Sequence, residues 1–330
     1  MATYLYIATA IGLFIVTQTQ GAWEIIKHTL KEKDLTSIAV SGGVIIAGTT
    51  DGIWRSSDNG KSWHESNDQL SIRHVRWIGS SSYTPMTFLV GTEPAGIFVS
   101  TDGGKTWGNR PEIAKLRDAN GWFLPYSPRA GCVRGFAVAK PDNHLGRMYA
   151  AVEVGGALIS NDSGKKWNLV EGSDGSPDFN RELGKMIHPD VHSITVHPTS
   201  SDLVTAATGG GLYRSTDGGR NWKNIYQCYI RAVWVDSTNP QHIIAGPADG
   251  VSRNGRIEES NDGGQTWQLA SDGMAPTPWS RHMVERFVQL DNDLFAVLSN
   301  GQLWLTHVDK SSWHRVLSEI HQIKAIAAVK

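Results

Sequence analysis

One pattern, S-x-D-x-G-x-x-W, recurs five times in this chain, around Asp58, Asp102, Asp162, Asp217 and Asp262, with a tryptophan five residues after each aspartate. Two degenerate copies end at Trp313 and Trp23, where Val308 and Gln18 hold the aspartate position. Seven tryptophans therefore stand in register, at 23, 63, 107, 167, 222, 267 and 313. Eleven residues before the tryptophan lies glycine in five copies, and Arg256 or Gln302 in the other two. For 330 residues, length alone suggests two domains at about 150 residues each. The repeat overrides that expectation, because stacked repeats bury one continuous core.

The physics of the pattern is that of a hairpin turn. The carboxylate can accept backbone N–H bonds within the turn, glycine supplies the left-handed position, and tryptophan packs back on the sheet. Burying one indole side chain removes about 150–250 Å² from water, worth roughly 4–6 kcal/mol gross at ~25 cal/mol/Å². The aspartates are thus read as stability devices rather than as catalytic or ligand groups. The 35 glycines and 13 tryptophans of the chain follow from these turns and plugs.

These units resemble Asp-box (BNR) repeats, similar to those of sialidases, xyloglucan-cleaving endoglucanases, sortilin-like receptors and photosystem II assembly propellers. The resemblance covers nearly the whole chain and implies an all-β, seven-bladed β-propeller. It implies no single function, because the same box serves enzymes, receptors and scaffolds.

Aligned inner-strand starts place the blades near 36 (TSIAV), 73 (RHVRW), 134 (RGFAV), 192 (HSITV), 231 (RAVWV), 285 (ERFVQ) and 324 (KAIAA). The spacings are 37, 61, 58, 39, 54 and 39 residues, against about 40–45 for an ordinary propeller blade. One propeller spanning 1–330 is expected. Its seventh blade has only an inner strand at the C-terminal end, so residues about 3–30 must supply the other three, closing the ring and removing exposed edges. The run YLYIATAIGLFIV (residues 4–16) fits this scheme as strands. No Lys or Arg precedes it and it is too short to span a bilayer, so a soluble, cytoplasmic chain without a membrane partner is expected.

Charge is balanced, with 31 Lys+Arg against 32 Asp+Glu, which argues against a nucleic-acid partner. Cys132 and Cys228 make no disulfide framework. No phosphate loop or serine nucleophile elbow is present, and no cofactor is expected.

Topology assigns the working face. Inner strands start at one face, so the Asp-box hairpins lie on the other. The long connections 108–131, 171–190 and 270–284, and the insert 246–255, all return to the first face. They carry Trp122, Phe123, Tyr126, Phe179 and Trp279, and their shared location predicts a built-up pocket. The first residues of the inner strands should ring its mouth: Thr36, Arg73, Arg134, His192, Arg231, Glu285 and Lys324. Four permanent cations against one carboxylate would focus on an anion, and arginine forks suit carboxylate, sulfate or phosphate. Asp51, Glu93, Glu153, Asp190 and Asp249, in loops of the same face, offer the alternative of an inert paired network.

The chain carries three ring arginines, with Tyr229 two residues from Arg231 and Glu285 opening the next blade. The sialidase resemblance would imply an arginine triad, a tyrosine with a carboxylate neighbour and a separate aspartic acid. The chain departs from that family in having seven repeats rather than six and no Arg-Ile-Pro motif.

Two functions are open. In the first, a hydrolase or lyase acts on a small anionic or carbohydrate ligand held by Arg73, Arg134, Arg231, Lys324, Trp122 and Trp279, with Glu285, His192 or Tyr229 in catalysis. In the second, a non-catalytic scaffold binds a protein partner or acidic segment through the same face, as the resemblance to photosystem assembly factors implies. His188, Asp190 and His192 alternate and form a candidate metal set.

Overall fold

The computed structural model describes all residues except 1–2, 20, 82, 128–129, 142–145, 181, 311 and 330. Short runs rich in β-branched and apolar residues, separated by glycine-bearing turns, form antiparallel strands as expected. They assemble into seven four-stranded sheets. The fold is a seven-bladed β-propeller.

The inner strands are Leu35–Ser41, Val75–Ser80, Cys132–Val138, Val191–Val196, Tyr229–Val235, Val284–Leu290 and Ile323–Val329; we number the blades one to seven in that order. In blades one to six the remaining strands follow in sequence, each hydrogen-bonded to the one before. In blade seven, Ile323–Val329 pairs antiparallel with Tyr4–Thr9, which is followed outward by Gly12–Thr19 and Ala22–Thr29. The ring closure expected from sequence is therefore present.

Second strands such as Val44–Thr49, Met148–Glu153 and Ile243–Ala248 are buried throughout. Both of their faces pack on neighbouring sheets, so they read as continuous apolar runs rather than alternating ones. Small residues in them let blades touch. A Cβ added at Gly91 would come within 2.4 Å of the Val133 carbonyl of the next blade.

Each intact box is a closed network. In the fourth blade, Ser215 Oγ donates to Asp217 Oδ1 (2.8 Å) and accepts the Gly219 N–H (2.8 Å), while the carboxylate accepts from the Asn221 N–H (2.9 Å). Gly219 has φ 91°, and a Cβ there would lie 3.0 Å from Val170 of the preceding blade. Trp107, Trp167, Trp222 and Trp313 are buried, whereas Trp23, Trp63 and Trp267 are half-buried.

One element was not foreseen. The insertion after blade two contains the helix Pro111–Asn120, with proline opening it and Gly121 closing it at φ 65°, the ordinary division of labour between those residues. It places Ile113 in the core shared by blades two and three.

Candidate functional site at the channel mouth

The mouth is built by a β-bulge repeated in all seven inner strands. One residue in each drops out of register with the second strand: Thr36, Arg76, Arg134, His192, Glu285 and Lys324, with Arg231 and Ala232 together in blade five. A bulge turns its extra side chain off the ladder and re-aims it. Each of these residues directly follows an apolar one: Leu35, Val75, Val133, Val191, Ile230, Val284 and Ile323.

In blade two this corrects the expected position. Arg73 precedes the strand and is exposed, while Arg76 occupies the bulge. Aligning the blades on arginine put the start three residues early; aligning on the apolar residue before the polar one finds it.

The bulged side chains join across the ring. Arg134 bonds Glu153 at 3.0 Å and Glu285 at 3.4 Å. Glu285 also takes Arg231 at 2.5 Å, and Arg231 Nε donates to the Tyr229 hydroxyl at 3.1 Å. Arg76 pairs with Glu93 at 3.4 Å, and Lys324 pairs with Asp34. Of the five loop carboxylates weighed as partners, Glu93, Glu153 and Asp190 meet the ring, whereas Asp249 turns to Arg256 at 3.4 Å.

His192 is wholly enclosed. Its Nδ1 lies 2.7 Å from the Ile230 carbonyl and its Nε2 lies 3.0 Å from Asp190 Oδ2. Both neighbours are acceptors, so both contacts are hydrogen bonds only when the ring carries two protons.

These pairings set the acid–base state. Burial alone would raise Glu285, but Arg231 and Arg134 hold its carboxyl below the usual range. Burial would likewise raise Glu153, but Arg134, followed by His192, holds it below the usual range. Asp190 is lowered by His192 against its own burial. Burial first, and Glu153 next, push the Cys132 thiol far up; it donates to Glu153 at 3.2 Å and is no thiolate.

A cavity of about 320 Å³ opens beneath the ring, lined by Thr36, Arg76, Trp77, Arg134, Glu285, Arg286, Lys324 and apolar neighbours. A second, of about 350 Å³, continues along the channel between Trp77, Ser193, Trp234, Arg286 and Gln289. Arg286 was not singled out in the sequence. Its guanidinium stacks on the Trp77 ring at 3.7 Å and touches both cavities.

Among the sequence candidates, Arg134, Glu285 and Lys324 line the mouth cavity. Arg231, Tyr229 and His192 stand one layer behind, reached through Glu285 and one another. Trp122 and Trp279 are buried plugs that line neither cavity. The Trp122 indole donates to Gly175 at 2.8 Å, tying two insertions together, and the Trp279 indole donates to Met274 at 3.2 Å. On the rim it is Tyr126 and Phe179 that are exposed.

The metal set also regroups. Glu153, Asp190 and His192 bring donor atoms within 4.8 Å of one another. His188 instead accepts the Asp190 N–H at 3.1 Å and stacks on Phe179. Glu153 is paired with Arg134 and His192 with Asp190 Oδ2, while Asp190 Oδ1 is buried without a hydrogen-bond partner among the described residues.

Residues 98–107 match the BNR/Asp-box repeat family. No curated protein matches the chain in sequence. Among solved structures, the chain is similar to an ancestral GH74 enzyme, at 15% identity and TM-score 0.62, over 99% of this chain and 40% of that one. It is also similar to YCF48 bound to D1 peptide, at 14% identity and TM-score 0.57, over 94% of this chain and 87% of that one. A third likeness is to Chaetomium thermophilum Sqt1 bound to the N-terminus of ribosomal protein L10, at 13% identity and TM-score 0.54, over 94% and 82%. At these identities the likeness is one of fold. No described helix is long and apolar enough to cross a membrane.

Proposed function

The chain is a seven-bladed propeller of the BNR/Asp-box type, and we propose that its channel mouth binds a small anionic or sugar-derived ligand and holds it rather than cleaving it. The observation that carries this reading is the lining of the mouth cavity: Arg76, Arg134, Arg286 and Lys324 against the single carboxylate of Glu285. Cations at the floor of a narrow opening, surrounded by low-dielectric walls, concentrate an anion there.

Binding is favoured over hydrolysis by the protonation states. A glycosidase needs one carboxyl kept protonated as acid and a second kept ionised. Here Glu153, Asp190 and Glu285 are all held below the usual carboxylate range. Both oxygens of Glu285 are engaged by arginines. His192, which could serve as an acid, is fully enclosed and reaches the cavity only through other side chains.

A second reading, capture of a peptide through the same face, draws on the exposed Tyr126, Phe179 and Val251. It also draws on two structural neighbours that are seen with peptide segments. The test is a calorimetric and thermal-shift screen at neutral pH with monocarboxylates, uronic acids, sulfated sugars, phosphoesters and acidic peptides. Stabilisation by small anions supports the first reading. Stabilisation by acidic peptides alone supports the second, and no response from any anion overturns both.

A further inference from the structure

We infer that Arg286 is the anchor of the mouth site and that the ligand it takes is a monoanionic carboxylate, of the size of a sugar acid. This rests on the reading of the mouth as an anion site and names its chemistry. Four observations carry it.

The first is position. The residue following the first bulged one is Ser37, Gly135, Ser193, Ala232 or Ala325 in five blades, and Trp77 or Arg286 in the other two. Ser37, Gly135, Ala232 and Ala325 are buried in the packing between strands and blades, whereas the two large side chains line both cavities and stack on each other. An apolar side chain would fill that space against Trp77 equally well, so packing does not require a cation.

The second is the absence of a counter-charge. Every other cation of the mouth has a carboxylate: Arg76 has Glu93, Arg134 has Glu153 and Glu285, Arg231 has Glu285, and Lys324 has Asp34. Among the described residues Arg286 has none. Its one hydrogen bond goes to the Thr36 carbonyl at 3.3 Å, which leaves the rest of its fork of donors facing cavity. Glu285, its neighbour in sequence, spends its two oxygens on Arg231 and Arg134. Burial accordingly pushes the guanidinium down to about 9, still protonated at neutral pH.

The third is the charge count. Among the ion-paired groups of the mouth, Arg76, Arg134, Arg231 and Lys324 stand against an equal number of carboxylates, Asp34, Glu93, Glu153 and Glu285, and Arg286 is the cation outside this set. One positive charge is left over. A monoanion neutralises it, whereas a phosphomonoester dianion would leave a negative charge in a partly desolvated site. The fourth is shape: a planar guanidinium matches a carboxylate through two parallel bonds, and the cavity of about 320 Å³ beside it has room for a sugar ring.

The experiment uses isothermal titration calorimetry at pH 7 with glucuronate, glucose, glucose 6-sulfate and glucose 6-phosphate. The proteins are the wild type, Arg286→Met and Arg286→Lys. Glucuronate is expected to bind the wild type about tenfold or more tightly than glucose 6-phosphate, with glucose not binding. Arg286→Met should lose glucuronate by about tenfold or more and melt at or above the wild-type temperature, because an uncompensated buried charge has been removed. Arg286→Lys keeps the charge but loses the fork, so it should also weaken glucuronate while remaining folded. It serves as the readout if the methionine variant does not fold. Unchanged glucuronate affinity in the folded variants overturns the role of Arg286 while leaving the mouth site standing. Tighter binding of glucose 6-phosphate, or of glucose 6-sulfate over glucuronate, overturns the carboxylate assignment. Failure of every anion to bind the wild type overturns the mouth reading itself.

Discussion

Arg134 of blade three and Glu285 of blade six lie 3.4 Å apart across the channel, although 151 residues separate them in sequence. Their contact joins opposite sides of the ring, and Glu285 simultaneously holds Arg231 of the adjoining blade. One carboxylate thus ties three blades together and competes with any external anion for two arginines.

Substituting Glu285→Gln should separate these roles. The amide keeps the shape but leaves Arg231 without its carboxylate and Arg134 with Glu153 alone, a destabilisation of about 3–5 kcal/mol at most. Because the Glu285 side chain is 20% exposed, the expected loss is nearer 1–3 kcal/mol, seen as several degrees of melting temperature. Anion binding at the mouth should tighten, since the internal competitor is neutral. A variant that melts lower and also binds glucuronate more weakly would show that Glu285 positions the site instead of competing with its ligand.

The same carboxylates set an acid limit. Glu153, Asp190 and Glu285 titrate lower in the folded protein than in the unfolded chain. A depressed carboxyl contributes stability that is present above its unfolded value and is lost as pH falls through the folded one. Thermal denaturation followed from pH 7 to pH 2 should show a melting temperature held down to about pH 5 and falling steeply below about pH 4. The fall should be shallower in Glu285→Gln, which has one fewer such group. His242 acts in the opposite sense. Its pKa is raised by the Glu259 contact at 2.7 Å and by Asp236, so its contribution is complete below the ordinary histidine value of 6.5. It is lost as pH rises through the folded value. The difference in melting temperature between wild type and His242→Gln should therefore shrink between pH 6 and pH 9.

How much of this the sequence disclosed follows from how local each determinant is. The Asp-box places serine, aspartate, glycine and tryptophan within eight residues, so each hairpin can be read alone, and the register of tryptophans then counts the blades. The bulged ring was half disclosed. Arg134, His192, Arg231, Glu285 and Lys324 stand at it, but Arg73 was chosen by charge where Val75–Arg76 carries the apolar–polar step. Arg286 was invisible for a different reason. Its significance lies in stacking on Trp77 of a blade across the ring and in having no carboxylate partner among the described residues, and neither fact has a local signature. Trp122 and Trp279 were read as rim aromatics because composition does not say which way an indole faces; both turn inward to fix insertions.

Asp217→Ala tests the separation of fold from site. The carboxylate accepts the Asn221 N–H at 2.9 Å and its side-chain amide at 2.6 Å, and takes the Ser215 hydroxyl at 2.8 Å. The Asn221 groups are exposed and can turn to water, so the cost should be about 1 kcal/mol rather than the larger penalty of an orphaned buried donor. Anion affinity at the mouth should be unchanged within twofold, because the box lies on the far face of the propeller. A tenfold loss of binding with the melting temperature intact would mean that the two faces communicate.

The closing strand offers the sharpest test of the architecture. Ile323–Val329 supplies the inner strand of blade seven and pairs along Tyr4–Thr9. Ile323 and Ile326 pack into the core shared with Phe295, Val297 and Leu305 of blade six, and Ala325 packs toward blade one. Deleting residues 324–330, of which 330 lies outside the described residues, removes this strand. It uncovers the inner edge of Tyr4–Thr9 and breaks the only covalently discontinuous blade in the ring. Losing the buried Ile326 alone forfeits about 1.5–3 kcal/mol of burial, and an open ring adds an unpaired edge prone to association. The truncated protein should be insoluble or melt far below the wild type. A synthetic peptide of residues 322–330, added in trans at millimolar concentration during refolding, should recover part of the lost solubility by re-forming the pairing with Tyr4–Thr9. A truncated chain that remains soluble, melts normally and ignores the peptide would show that the ring does not depend on its closing strand.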